Sequence, residues 1–213
     1  MTIELQEQPE NAAVLIGLGL SLTMKKDGDF NPVSEKLCKF LIDAEHTSVF
    51  EHAVFTFLIQ GISRSLHTQL INQRTASYIS GSQQYQNYMD YPVSISEEVS
   101  GYETALAALD VAAGAYSILL DNGILREEAR QVLPNASTVN MLWTLDARNL
   151  FFFLRQRLCN RNVMEMRIFA AKLRTILVQE FPQLFTWSGP QCAWGDCKQG
   201  RMQCQEKTCQ LMA

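Results

Sequence analysis

The sequence predicts an α+β fold in which helices dominate and a small antiparallel or mixed sheet supplies the rest. Three observations carry this expectation. Amphipathic runs with apolar residues three and four apart recur along most of the chain. One segment, Val54-Phe-Thr-Phe-Leu-Ile-Gln60, is instead dense in β-branched and aromatic residues, the composition of a strand. No Gly-x-Gly-x-x-Gly follows a strand, so nothing supports a dinucleotide-binding βαβ unit.

Taken in order, the N-terminus lacks the basic start and apolar core of a signal peptide. The stretch from Ala12 to Leu22 is the most apolar, yet it is roughly half the ~20 residues a membrane span needs and contains two glycines, so it reads as buried. No run is read as a membrane span, and the expected location is cytoplasmic. Ser34 caps a helix to Ala44, with Leu37, Phe40, Leu41 and Ala44 on one face. After the Val54–Gln60 strand, Ser63 to Arg74 returns to helical spacing through Leu66, Leu70 and Ile71. Ser94 to Glu98, following Pro92, reads as a loop.

A long helix is expected from Tyr102 to Leu120, carrying Leu106, Leu109, Ala113, Tyr116 and Leu120, and closed by Asp121-Asn-Gly123. A short helix, Leu125 to Val132, stops before Pro134. Two more helices are expected, one from Ser137 through Asp146 to Cys159 and one from Val163 to Glu180. Pro182 and Gly189-Pro190 mark the edge of the folded body, giving one domain over residues 1–188 and a Cys-rich tail over 189–213.

A chain of 213 residues suffices for one core or one protomer of an oligomer. Its net charge of -4 argues against a general nucleic-acid binder, because no broad cationic surface is available to displace counterions. Four of its six cysteines, Cys192, Cys197, Cys204 and Cys209, fall in the tail. In a cytosolic protein such clustering suggests metal or redox chemistry. Four thiolates could enclose zinc, although gaps of four, six and four residues are wider than structural zinc knuckles use. A loosely ordered tail that carries thiols remains the alternative.

The densest run of hydrogen-bonding side chains is Gln69 to Tyr85, Gln-Leu-Ile-Asn-Gln-Arg-Thr-Ala-Ser-Tyr-Ile-Ser-Gly-Ser-Gln-Gln-Tyr. Upstream, His46-Thr-Ser-Val-Phe-Glu-His52 does not match the His-Glu-x-x-His of a hydrolytic zinc helix. Downstream, Arg130 precedes Gln-Val-Leu-Pro134, and Arg148, Arg155 and Arg157 lie among Phe151, Phe152, Phe153 and Leu154. Arginine rarely sits among so many apolar residues without a partner. Its planar fork suits a phosphate or a pyrimidine edge, and ion pairs with Asp146, Glu127 or Glu165 are the alternative.

These blocks, with Trp143-Thr-Leu-Asp-Ala-Arg-Asn-Leu150, Phe153-Leu-Arg-Gln-Arg-Leu158 and Glu165-Met-Arg167, resemble the flavin-dependent thymidylate synthase (ThyX) family in order and spacing over most of residues 35–180. The resemblance implies a homotetramer that binds FAD between subunits. It also implies conversion of dUMP to dTMP, with methylenetetrahydrofolate as carbon donor and NADPH as reductant. Arg157 matches the arginine that contacts the uracil and is the catalytic candidate. Ser48, Asn72, Gln73, Arg74, Ser80, Asp146, Arg148 and Phe152 fall at flavin-side positions. Gln69, Asn72, Ser80, Gly81, Ser82, Gln83, Gln84 and Arg130 fall on the nucleotide side with Arg157, and Gln69 and Arg74 would serve ligands of different protomers.

The chain departs from the family signature at two places. Arg-His-Arg is Asn72-Gln73-Arg74 here, and the arginine before the terminal tyrosine is Gln84. A carboxamide hydrogen-bonds but brings no charge, and each charge-assisted bond lost costs on the order of 1.5–3 kcal/mol. Three readings follow: thymidylate synthesis with compensating residues such as Arg64, His67 or Arg161; C5 methylation of another uracil nucleotide such as UMP in a specialised nucleoside pathway; or a non-catalytic flavin- or nucleotide-binding relative.

Overall fold

The computed structural model describes residues 1–23, 32–88, 92–195, 197 and 199–204. Its elements are β1 (Thr2–Glu7), α1 (Ala12–Thr23), α2 (Glu35–Asp43), a 3-10 turn (Ser48–His52), β2 (Val54–Ser63), α3 (Arg64–Ile71) and β3 (Ser77–Ser80). Then come α4 (Glu97–Ser100), α5 (Glu103–Asp121), α6 (Arg126–Ala129), a 3-10 turn (Arg130–Val132) and β4 (Thr138–Asp146). The series closes with α7 (Ala147–Arg157), α8 (Met164–Glu180), α9 (Pro182–Phe185) and short 3-10 turns at Gln191–Trp194 and Gly200–Met202. The helix-rich α+β expectation holds.

One four-stranded antiparallel sheet has the order β1-β2-β4-β3. Its register is fixed by Thr56 Oγ1 against Thr144 Oγ1 at 2.9 Å and by Gly61 N donating to Asn140 Oδ1 at 2.9 Å. The expected helix from Ser137 to Cys159 is corrected: its first half is β4. Val139, Met141, Trp143 and Leu145 are buried in strict alternation, the period-two pattern of a strand with one face inward. Thr138, Val139 and Thr144 add β-branched side chains that suit a pleated surface. Asp146 then caps α7, accepting from Asn149 N at 2.9 Å. Two further differences are β3, within the polar run, and α4, which Ser96 caps inside the expected loop.

The chain divides into two compact units, Met1–Glu4 with Leu58–Trp143, and Leu5–Phe57 with Thr144–Ala213, the division falling within β1, β2 and β4. In the first, α5 turns Tyr116 inward to Tyr88 and Ala129. Its other faces stay open, with Val111 72% and Ile118 62% exposed. By length and composition α5 is apolar enough to cross a membrane, which corrects the expectation that no run is. Asp110 at mid-helix and the packed Tyr116 also suit an amphipathic helix.

In the second unit, Phe55 meets Phe181 edge-on at 4.9 Å and Phe185 at 5.8 Å. Phe153 meets Phe169 at 6.0 Å. Aromatic pairs at such distances contribute about 0.5–1.5 kcal/mol beyond their burial. They fix α7, α8 and α9 as the rigid support from which Arg148 and Arg157 project.

Candidate active site

Within the first unit, α3 lays out the polar run. Ser63 Oγ accepts from Leu66 N at 2.9 Å and starts the helix, whose inner face buries Leu66, His67 and Leu70. Helical spacing therefore turns Gln69 and Asn72 away from the core. Asn72 ends the helix, Arg74 is exposed, and Gln73 Nε2 donates to Thr75 Oγ1 at 3.0 Å.

The segment after β3 is pinned from below. His67 Nε2 lies 2.9 Å from Ser80 Oγ, Arg64 Nη2 donates to Gly81 O at 3.2 Å, and Gly81 N donates to Asn140 O at 2.9 Å. Burial, with the Arg64 charge nearby, holds the His67 imidazole below its ordinary 6.5, so it is neutral at pH 7. A Cβ on Gly81 would stand 2.8 Å from Gln86 Oε1, the atom that accepts from the Tyr88 hydroxyl. Ser82 turns the chain, its Oγ accepting from Gln84 N at 3.2 Å and its carbonyl from Gln86 N at 3.0 Å. Gln83 is half-buried beside it.

Gln84 Nε2 donates to Glu127 Oε2 at 2.8 Å, Arg126 Nη1 donates to Tyr85 O at 3.0 Å, and Arg130 Nε donates to Glu127 O at 3.0 Å. The structure thus brings Ser82, Gln84 and Arg130 to one place through Glu127. The ion pair between Arg130 and the Glu127 carboxylate does not form; only the carbonyl is used.

Within the second unit, the 3-10 turn brings exposed Ser48 beside Glu51, which pairs with Arg148. The Arg148 guanidinium lies 5.8 Å from the centre of the Phe152 ring. Thr47, Phe50, Arg148, Phe151 and Phe152 line a shallow cleft. Both Asp146 oxygens accept from Asn149, at 2.9 Å from its N and 2.6 Å from its Nδ2. Asp146 is therefore not the ion-pair partner of Arg148.

Arg157 is the last residue of α7 and is half-buried. Its Nη1 donates to Asn162 Oδ1 at 3.3 Å, while its buried Nε has no partner. Asn162 is itself held, donating from Nδ2 to Gln156 O at 2.7 Å and Cys159 O at 3.1 Å. The Nε atoms of Arg64 and Arg167 are buried without a partner in the same way, so what distinguishes Arg157 is its place at the end of α7 and its hold by Asn162.

Sequence reasoning missed Asn162 and Glu51 as partners. Glu51 sat inside the quoted His46–His52 segment, but its pairing with Arg148 crosses 97 positions and leaves no local signal. Among the tail cysteines, Cys192, Cys197 and Cys204 are described, and Cys209 lies outside the described residues.

A family model described as thymidylate synthase complementing protein matches residues 8–183. The chain is 38% identical over 168 residues to a flavin-dependent thymidylate synthase of Geobacter sulfurreducens, covering 75% of this chain and 71% of that one. It is 33% identical over 193 residues to the enzyme of that name from Clostridium tetani, covering 80% and 78%. Its fold matches ThyX from Helicobacter pylori, solved with FAD and dUMP, with a TM-score of 0.72 at 20% identity over 89% of this chain and 100% of that one. With the family model spanning most of the chain and relatives a third or more identical over most of their own length, the chain belongs to the flavin-dependent thymidylate synthase family.

Proposed function

We propose that the chain catalyses reductive methylation of dUMP at C5 to give dTMP, using FAD, methylenetetrahydrofolate and NADPH. The observation that carries this reading is the family match over residues 8–183, within which Arg157 ends α7 with Asn162 holding its guanidinium. A permanently cationic fork held in this way stabilises negative charge as it develops on a uracil oxygen. Ser82 and Arg130 bind the nucleotide's phosphate, and Gln69 with Gly81 and Gln83 complete its contacts.

The flavin side also fits. Phe152 is 37% exposed beneath the Arg148 guanidinium, a flat surface next to a cation that suits an aromatic, anionic group. Bound FAD, once reduced by NADPH, would supply hydride to the uracil ring. Ser48, Asn72, Gln73, Arg74 and Ser80 bind it, and Asp146 acts by capping α7 and so setting the direction of Arg148. Such a chain is cytoplasmic, with residues 1–188 forming the catalytic part.

The exposed face of α5, together with Ile79 at 72% and Tyr85 at 74% exposure beside the polar run, supports a homotetramer with shared sites. Light scattering on the purified chain tests this, and a monomer overturns it.

A second reading is methylation of another uracil compound such as UMP or a less phosphorylated one; the Gln84–Glu127 pair, which puts a carboxylate beside a phosphate-side amide, favours the less phosphorylated compound. Parallel incubations with dUMP and UMP, FAD, NADPH and methylenetetrahydrofolate, followed by mass spectrometry, separate the readings. Methylation of dUMP is expected; methylation of UMP alone overturns the first reading, and ligand uptake without any product leaves a non-catalytic relative.

A further inference from the structure

β3 is short, lies at the edge of the sheet and leaves Ser77, Tyr78 and Ile79 exposed, so burial does little to fix the residues that follow them. Gly81 adds backbone freedom. What holds Ser80 and Gly81 instead are two side chains of α3, Arg64 and His67, which stand three residues apart and therefore on one face of the helix. His67 is 8% exposed and its Nε2 lies 2.9 Å from Ser80 Oγ, while Arg64 Nη2 donates to Gly81 O at 3.2 Å. The helix itself is anchored. Leu66 and Leu70 are buried on its inner face, and Arg64 N donates to Ser137 O at 3.0 Å, just before β4.

We propose that Arg64 and His67 are positioning residues for two different ligands, His67 directing the Ser80 hydroxyl to the flavin and Arg64 directing the Gly81–Ser82 peptide to the nucleotide. In the proposed function, on which this inference rests, Ser80 binds the flavin and Gly81 and Ser82 bind the nucleotide. A serine hydroxyl has one hydrogen and two lone pairs, so its bond to the imidazole leaves the remaining capacity turned away from α3. Burial and the Arg64 charge keep the imidazole neutral, so it holds Ser80 without adding a charge. The peptide after Gly81 is trans, so with its carbonyl drawn to Arg64 the Ser82 N–H points the opposite way. One helix face thus sets two adjacent groups for two ligands.

The dissociation constant for FAD and the KM for dUMP at saturating FAD, measured on the full-length chain with melting temperature alongside, test the pair. His67→Leu is expected to weaken FAD binding about tenfold, the scale of one hydrogen bond, and to move the KM for dUMP by less than about threefold. His67→Gln, which keeps a polar partner for Ser80, is expected to recover most of the loss. Arg64→Met is expected to raise the KM for dUMP about tenfold with FAD affinity unchanged, and Arg64→Lys, which keeps a donor, to recover most of that. Should the leucine or methionine variant fail to fold, His67→Asn and Arg64→Gln, polar but too short for these bonds, take their place. Variants that shift both constants together, or that lower only the melting temperature, overturn the proposal. If the parent chain forms no methylated product, the proposed function falls and the dissociation constant for dUMP replaces its KM; a parent chain that binds neither FAD nor dUMP overturns both.

Discussion

Gln84 Nε2 donates to Glu127 Oε2 at 2.8 Å, so the amide that stands where the family carries an arginine is engaged by a carboxylate. An arginine there would satisfy Glu127 and keep further donors for a phosphate. Gln84→Arg is expected to lower the KM for dUMP roughly tenfold or more, the scale of one charge-assisted bond. Steady-state kinetics check this, and an unchanged KM would show that position 84 does not face the nucleotide.

Asp146 uses both oxygens to hold Asn149. Replacement by alanine is expected to cost about 1 kcal/mol of stability, the usual value of an N-cap, and to weaken flavin binding through misdirected Arg148. Asp146→Asn keeps an accepting oxygen and is expected to restore most of both. Denaturant unfolding and flavin titration read the two effects separately.

Neutral His67 gives a pH dependence of defined sign. Its folded pKa lies below the unfolded 6.5, so its contribution is complete above pH 6.5 and is lost as pH falls from there through the folded value. Urea midpoints should therefore decline below about pH 6.5, and His67→Gln should flatten that decline. Equal pH profiles for the two chains would contradict the assignment.

Asn162 touches Arg157, the Gln156 carbonyl in the last turn of α7 and the Cys159 carbonyl just beyond it. It is a positioning residue. Asn162→Ala is expected to reduce kcat up to about tenfold, the value of one hydrogen bond, with a smaller effect on KM for dUMP. A change in thermal stability alone, with kcat intact, would make its role structural.

These predictions draw on elements that the sequence disclosed unequally. α2, α5 and α8 were legible because their apolar residues recur at helical spacing and because Ser34 caps α2. β4 was misread because Met141, Leu142 and Trp143 form an apolar run whose period is ambiguous until the buried face is known. β3 was hidden because Ser77, Tyr78 and Ile79 are exposed and the strand carries no apolar alternation.

The candidate site was legible where chemistry resides in residue type, as with Arg130, Arg148 and Arg157. It was not legible where partners are remote, as with Glu51 and Arg148.

In the proposed function, Arg157 is the group that stabilises charge on the uracil. The measurement that tests it most directly is methylated product formed per chain from saturating dUMP, FAD, NADPH and methylenetetrahydrofolate by the parent chain and by Arg157→Ala, with flavin content matched. Many turnovers are expected of the parent chain and a rate lower by about 10²–10³ in the variant, the cost of removing one electrostatic donor. Equal rates in the two chains, at equal flavin content, would contradict it.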